Sequence, residues 1–457
     1  MTTATINRLI TLFDDAFRGL STQASMEDSE RLAVLIHHSM NSKNRSYHTP
    51  EHIFGMCEGM KPLQVLAALF HDVVYYQLDG GFPPPAAPWL QDVVTCDEDA
   101  ALVLQEFGAN DPALVLCAAI FQFTPGQALP LYGGMNEFLS AVLATRLLRN
   151  HLGLQDLLVV AACIEATIPF RAPNMHGETA ADVLAQRVAR YYQSIFPDRP
   201  PEDVEIFVTQ AVSDAVALGN RDVSSFSCPD PSLFLSSTWQ LIDESNAPLA
   251  NPGVYSLREY RTALMRMHDF LSALDPTHVF QCYNAQPDAD EFDRLCASAQ
   301  RNIGFACDFL SVKITAVAIV EALAMGTGSD CPVSMFLGDI RNPHGKPDRV
   351  EDFLPPAPVD QILNQELLNV FETGRALVSS YDLNASPLTA YVYLSMGHEG
   401  ARMGFHLAQE MFDGTLSPVE FLRSLNRALV LDVSSACAHI AISRRDKLRA
   451  LESALAL

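Results

Sequence analysis

Basic residues are scarce in this chain: Lys and Arg total 30 of 457, against 54 Asp and Glu, for a formal net charge of −24. A field of that sign repels phosphate backbones and anionic lipid, so neither nucleic acid nor a membrane is an expected partner. A small phosphorylated substrate remains open if a bound cation is the largest local charge. Cysteine pairs at C-x-x-C spacing are also missing. The ten cysteines (57, 96, 117, 163, 228, 282, 296, 307, 331 and 437) are scattered through apolar runs and read as reduced, buried residues. No uninterrupted run of about 18 apolar residues occurs, and Asp14 and Asp15 fall where a secretory leader needs its apolar stretch, so the expectation is a cytoplasmic protein. G-x-S-x-G and Walker loops are absent, and the His398-Glu399 pair has Arg402 where a zinc-protease helix needs its second histidine.

What is present is apolar material. Hydrophobic residues make up 49% and charged residues 18%, enough to bury two or three cores in a chain of this length. Apolar residues recur at helical spacing, as in Leu9, Leu12, Phe13 and Phe17, or Leu139, Val142, Leu143 and Leu147, while alternating strand patterns are nearly absent. The expected class is therefore all-α. Helices are expected near 4–19, 27–41, 50–60, 62–77, 97–107, 111–122, 135–149, 153–168, 178–195 and 202–218, then 358–380, 386–412 and 416–455. The acidic run Asp97–Asp99 is taken to open the fifth of these, at the positive end of its dipole. Residues 326–358 read as a long loop rich in Pro and Gly. No fixed-period repeat is visible. A boundary near 225–255, where the VSSFSCPDPSLF stretch ends the motif-bearing half, gives two regions, 1–225 and 226–457.

Two short stretches carry chemistry: Arg45-Ser46-Tyr47-His48-Thr49-Pro50-Glu51-His52, and Leu69-Phe70-His71-Asp72-Val73-Val74-Tyr75. Thr49 suits an N-cap and Pro50 the first helical position, which starts a helix between the two histidines and puts His52 in its first turn. His71 and Asp72 interrupt the apolar VLAALFHDVVYY. A buried, uncompensated carboxylate costs several kcal/mol, so such a residue is normally paired or bound to metal. Imidazole with carboxylate suits Mg²⁺ and the first-row divalent ions Mn, Fe, Co and Zn.

The order His, then His-Asp on a following apolar helix, then a distant acidic residue resembles the HD superfamily of metal-dependent phosphohydrolases. The wording is most similar to bacterial predicted HD phosphohydrolases and to cyclic-nucleotide phosphodiesterases, over roughly residues 30–225. The resemblance implies an HD-like helical bundle and makes His52, His71 and Asp72 metal ligands. It makes His48 the general acid that protonates the leaving oxygen, with Thr49 where the family has Asn. The family's fourth ligand is an aspartate on a later helix. Asp214, in AVSDAVALGNRDV with Asn220 and Asp222 close behind, is favoured for it, with Glu165 in VVAACIEATIPFR as the alternative. Arg171 is the residue that could pair with Glu165 if Glu165 is no ligand.

Arg45 and Lys43, just before the first histidine, are candidates for clamping a substrate phosphate. The expected function is hydrolysis of a nucleotide or other small phosphoester by a metal-activated water. Two rivals remain. An HD-type di-iron oxygenase would need His151 and His176 as further ligands. A degenerate HD domain, acting as a ligand sensor or scaffold, would explain a missing fourth ligand. A homo-oligomer is open under any of these readings. A second doublet, His268-Asp269, reads as a solvated or capping pair, and His37-His38 as half-exposed residues near a helix end.

Overall fold

The computed structural model describes residues 4–98, 101–108, 110–339, 349–358 and 363–455. It is all-α: among the described residues there are nineteen helices, which make up 66% of the structure, and one two-stranded ribbon that holds a further 3%. The chain divides into two compact units, Met1–Ser227 with Asp275–Ala299, and Cys228–Leu274 with Gln300–Leu457. The first crossing falls close to the boundary read from the sequence. The return of 275–299 to the first unit does not follow from that reading.

In the first unit, α1 (Thr5–Gly19) and α2 (Met26–Ser39) pair with each other, α1 burying Leu9, Phe13, Ala16 and Phe17 along one face. Ser25 and Asp28 close a reciprocal cap at the start of α2. Then come α3 (Pro50–Cys57), α4 (Pro62–Phe70), the short α5 (Tyr76–Asp79), a ribbon of β1 (Val94–Cys96) and β2 (Leu102–Leu104), and α6 (Pro112–Phe121). The bundle is completed by α7 (Met135–Leu148), α8 (Leu154–Glu165), α9 (Ala180–Ile195) and α10 (Pro201–Asp222). Every residue of α8 from Leu157 to Glu165 is buried, as befits an apolar helix surrounded by neighbours, here α4, α6, α7, α9 and α10.

In this unit two expected helices, 97–107 and 62–77, differ from what forms. The described residues of 97–107 are not helical. Val94 pairs with Leu104 and Cys96 with Leu102 in antiparallel register. Asp97 closes the turn by accepting from the Ala101 amide at 2.8 Å, so its carboxylate serves a turn and not a helix dipole. Leu102 and Leu104 are buried with Val103 between them less so, a period of two. Asp99 lies outside the described residues. The expected 62–77 helix ends at Phe70 and resumes only at Tyr76, because side chains from elsewhere take the backbone groups of the intervening turn, as shown below.

The second unit holds α11 (Pro231–Ser245), α12 (Leu257–Ala273), most of the 39-residue α13 (Ala289–Thr327), α14 (Ser334–Leu337), α15 (Gln365–Thr373), α16 (Pro387–Phe412), α17 (Pro418–Ser424), α18 (Arg427–Ile440) and α19 (Arg445–Leu455). The expected 416–455 helix is thus three helices, broken where Asn426 caps α18 and at Ala441. The 326–358 stretch contains α14 and a 3-10 turn at Val350–Phe353, with 340–348 outside the described residues. Of the expected 358–380 helix, residues 359–362 lie outside them, and α15 spans the part from Gln365 to Thr373. By length and composition α13 could cross a membrane, yet 78% of its most apolar window is buried within the protein. Two charges in its apolar stretch, Lys313 and Glu321, are paired. Lys313 meets Asp382 at 3.0 Å and donates to Ser386 at 3.0 Å, and Glu321 meets Arg261.

Candidate metal centre

The ends of three helices converge in the first unit. Thr49, extended in φ and ψ, leads into Pro50 at the first position of α3, so His52 stands in the first turn as the sequence suggests. His71 is the residue that ends α4, Asp72 follows it, and Asp222 is the last residue of α10. One ligand atom from each of His52, His71, Asp72 and Asp222 lies within 4.8 Å of all the others, the group among the described residues able to hold a metal ion.

The donor set fits a divalent ion. The His71 ring is buried, and its Nδ1 lies 2.8 Å from the Ala68 carbonyl oxygen. Nδ1 therefore carries a proton and donates, which leaves Nε2 as the ring atom able to face a metal. That Nε2 is buried and turned to two carboxylates, Asp72 Oδ2 at 2.8 Å and Asp222 Oδ1 at 3.6 Å. Asp222 Oδ1 also lies 2.8 Å from His52 Nε2. Burial disfavours the charged His71 ring, yet the two carboxylates raise its pKa well above the ordinary value. Burial likewise opposes the charged form of Asp72 and Asp222. The neighbouring histidines nevertheless hold both carboxyls below the usual range, with His48 acting on Asp72 as well. A shared cation would stabilise the two carboxylates in the place of those ring protons.

Arg45 builds the turn that presents Asp72. Its guanidinium is fully buried and donates to the Asp72 carbonyl at 2.7 Å, the Val73 carbonyl at 3.2 Å and both oxygens of Asp79 at 3.1 and 2.6 Å. From α7, Ser140 Oγ accepts from the Val74 amide at 3.1 Å and Asn136 Oδ1 from the Tyr76 amide at 3.1 Å. These bonds replace the helical ladder between α4 and α5. Arg45 is accordingly no phosphate clamp: its donors are committed to backbone and to Asp79. Lys43 is exposed.

His48 lies outside the four-residue group, its ring edge-on to Tyr75 at 4.8 Å and to Tyr47 at 5.0 Å, and 6.3 Å from the His52 ring. A further titratable group escaped sequence reasoning. Glu137, in the first turn of α7 between Asn136 and Ser140, is half-buried, and burial together with the like charges of Asp72 and Asp222 pushes its carboxyl up to about 7. The only sequence signal for it is a carboxylate amid the apolar GMNEFLSAV.

Neither expected fourth ligand joins the group. Asp214 Oδ1 meets Lys61 Nζ at 2.6 Å and accepts from Gln210 at 2.9 Å. It precedes Asp222 by eight residues, about 12 Å along a helix, and faces the start of α4 while Asp222 faces its end. Glu165 is 1% exposed and held by Arg171 at 2.6 Å and Arg187 at 2.7 Å. Asn220 clasps the backbone of Gln281 through two bonds of 2.8 Å. His151 sits against the Phe17 ring at 5.3 Å with Asp28 at 3.7 Å, and His176 is exposed in a turn. In the second unit, His268 packs on Phe405 and meets Ser311 Oγ at 3.2 Å, whereas Asp269 is exposed.

No protein-family profile, curated protein or solved structure matches the chain.

Proposed function

We propose that the chain is a metal-dependent phosphohydrolase acting on a nucleotide or another small phosphoester, with His52, His71, Asp72 and Asp222 holding a divalent ion. The observation that carries the reading is Asp222, which completes a set of two imidazoles and two carboxylates that includes the buried His71 ring. Such an ion supplies a bound water of lowered pKa and a Lewis acid for a phosphoryl oxygen. His48, braced by Tyr47 and Tyr75 beside the ligands, donates the proton that the leaving oxygen requires. Glu137, whose carboxyl burial and the charges of Asp72 and Asp222 push up to about 7, is the candidate to take up the proton that the water loses.

The rivals lose support at particular residues. His151 and His176, which a second iron would need, lie apart from the group. The scaffold reading rests on a missing fourth carboxylate, and Asp222 is a candidate for it.

The test is metal content and turnover of nucleotides and nitrophenyl phosphoesters after loading with manganese, iron, cobalt, zinc or magnesium. His71→Ala should lose metal and activity together. His48→Ala should keep the metal and lose roughly 10²–10⁴-fold in turnover, with less loss on a substrate whose leaving group needs no proton. Full turnover in His71→Ala, or no metal-dependent turnover of any phosphoester, would overturn the proposal.

A further inference from the structure

A cavity of about 350 Å³ lies in the second unit, lined by Arg258 and Arg261 of α12, Glu321 and Met325 of α13, and Met411 and Phe412 at the end of α16. That volume falls in the range of small-molecule sites. Its polar side is asymmetric in charge. Both oxygens of buried Glu321 are taken by Arg261, with Nε and Nη2 at 3.1 Å each, and the Arg261 guanidinium lies over the Phe412 ring at 4.2 Å. Arg258 is the second cation. Its Nε is 3.9 Å from Glu321 Oε1, beyond hydrogen-bonding distance, and its side chain is 57% exposed. Nearby Asp330 spends its carboxylate on the backbone amides of Arg258 and Cys331. Arg261 and Glu321 thus neutralise each other, and the Arg258 guanidinium is left with no carboxylate at hydrogen-bonding distance among the described residues.

We infer that this cavity binds a small monocarboxylic acid with an apolar body, its carboxylate on the Arg258 guanidinium and its body against Met325, Met411 and Phe412. Arg258 presents a planar fork matched to a carboxylate, and its fork is not taken up by Glu321. The apolar wall favours an organic acid over a bare inorganic anion. Two methionines let the wall adapt to a chain or a ring. The inference is independent of the metal centre, whose residues belong to the first unit.

Isothermal titration of the full chain with octanoate and with benzoate tests it. Octanoate should bind the wild-type protein, Arg258→Gln should weaken it at least tenfold, and octanol should bind at least tenfold more weakly than octanoate. Met325→Trp, which fills the cavity from a half-buried position, should abolish binding while circular dichroism shows an unchanged fold; Met325→Phe serves in its place if the Trp variant does not fold. Absence of binding by both acids at millimolar concentration overturns the inference. So does unchanged affinity in Arg258→Gln or in the folded cavity-filling variant, and so does inorganic phosphate displacing octanoate at equal concentration.

Discussion

A carboxylate in the last turn of a helix sits at the negative end of the dipole, where it is disfavoured unless a cation or proton donor meets it. Asp222 is such a residue, and its partners are His52 and His71. Asp214, two turns earlier, already has Lys61. Asp222→Ala should therefore bind less than about a tenth of an equivalent of metal under conditions that saturate the wild type. Asp214→Ala should retain full metal content, with a loss of at most about 1 kcal/mol of stability for a partly exposed pair. Equal metal loss in both would return Asp214 to the ligand set. The same residues set a pH dependence. In the metal-free protein the proton that raises His71 resides on Nε2, the atom a metal needs, because Nδ1 donates to Ala68. Metal must displace that proton, so apparent affinity should fall about tenfold per pH unit below the raised His71 pKa, and binding should release a proton to buffer. Metal-free stability runs in the opposite direction. The His71 contribution is complete below about pH 6.5 and is lost as pH rises through the raised value, whereas those of Asp72 and Asp222 are complete above about pH 4 and are lost on acidification. Thermal melts of metal-free protein should thus peak between those limits. A metal-free melting temperature that rises steadily from pH 6 to 9 would contradict the His71 assignment.

Elements place these residues, and α10 does so through a close approach. A Cβ on Gly219 would lie 2.4 Å from the Ala166 carbonyl oxygen, so α10 can pack on the end of α8 only with glycine there, one turn before Asp222. Gly219→Ala should force the helices apart, cost about 1–3 kcal/mol as overpacking and weaken metal binding at least tenfold by moving Asp222. Gly55, on the exposed side of α3 with nothing within 4 Å of its added Cβ, is the control. Gly55→Ala should leave metal affinity unchanged and stabilise by roughly 0.5–1 kcal/mol. Unchanged affinity in Gly219→Ala would show that the approach does not position the site. At this scale the sequence was readable where the information was local. Thr49-Pro50 announces α3, and the His-Asp doublet announces itself in an apolar run. The end of α4 was not readable, because Arg45, Asn136 and Ser140 take up its backbone groups from other parts of the chain. Nor was the choice of Asp222 over Asp214 and Glu165, which depends on the register of α10 against α4 and on two arginines that already hold Glu165. The acidic run before β2 resembled a helix start, and only the pairing of Val94 with Leu104 decides otherwise.

For the whole molecule, helical class followed from the apolar period, but the path of the chain between units did not, since nothing local marks residues 275–299 as part of the first. Their attachment bears on the metal centre. Asn220, two residues before Asp222, donates to the Gln281 carbonyl and accepts from the Gln281 amide, and Gln281 Nε2 reaches the Ala166 carbonyl at 3.4 Å. The segment therefore ties the last turn of α10 to the end of α8. A chain truncated after Ser227 keeps all four candidate ligands and every helix that bears them, yet leaves the Asn220 amide without both partners. Each lost bond is worth about 1 kcal/mol, and more where the group left behind is shielded from water. The truncated chain should melt several degrees below one in which residues 275–299 are restored by fusion through a flexible Gly-Ser linker, and should bind metal more weakly. Asn220→Ala in the full chain should reproduce part of that weakening with the Asp222 side chain intact. If the truncated chain binds metal with full-length affinity, the clasp does not hold the site, and α8 with Gly219 suffices to set the position of Asp222.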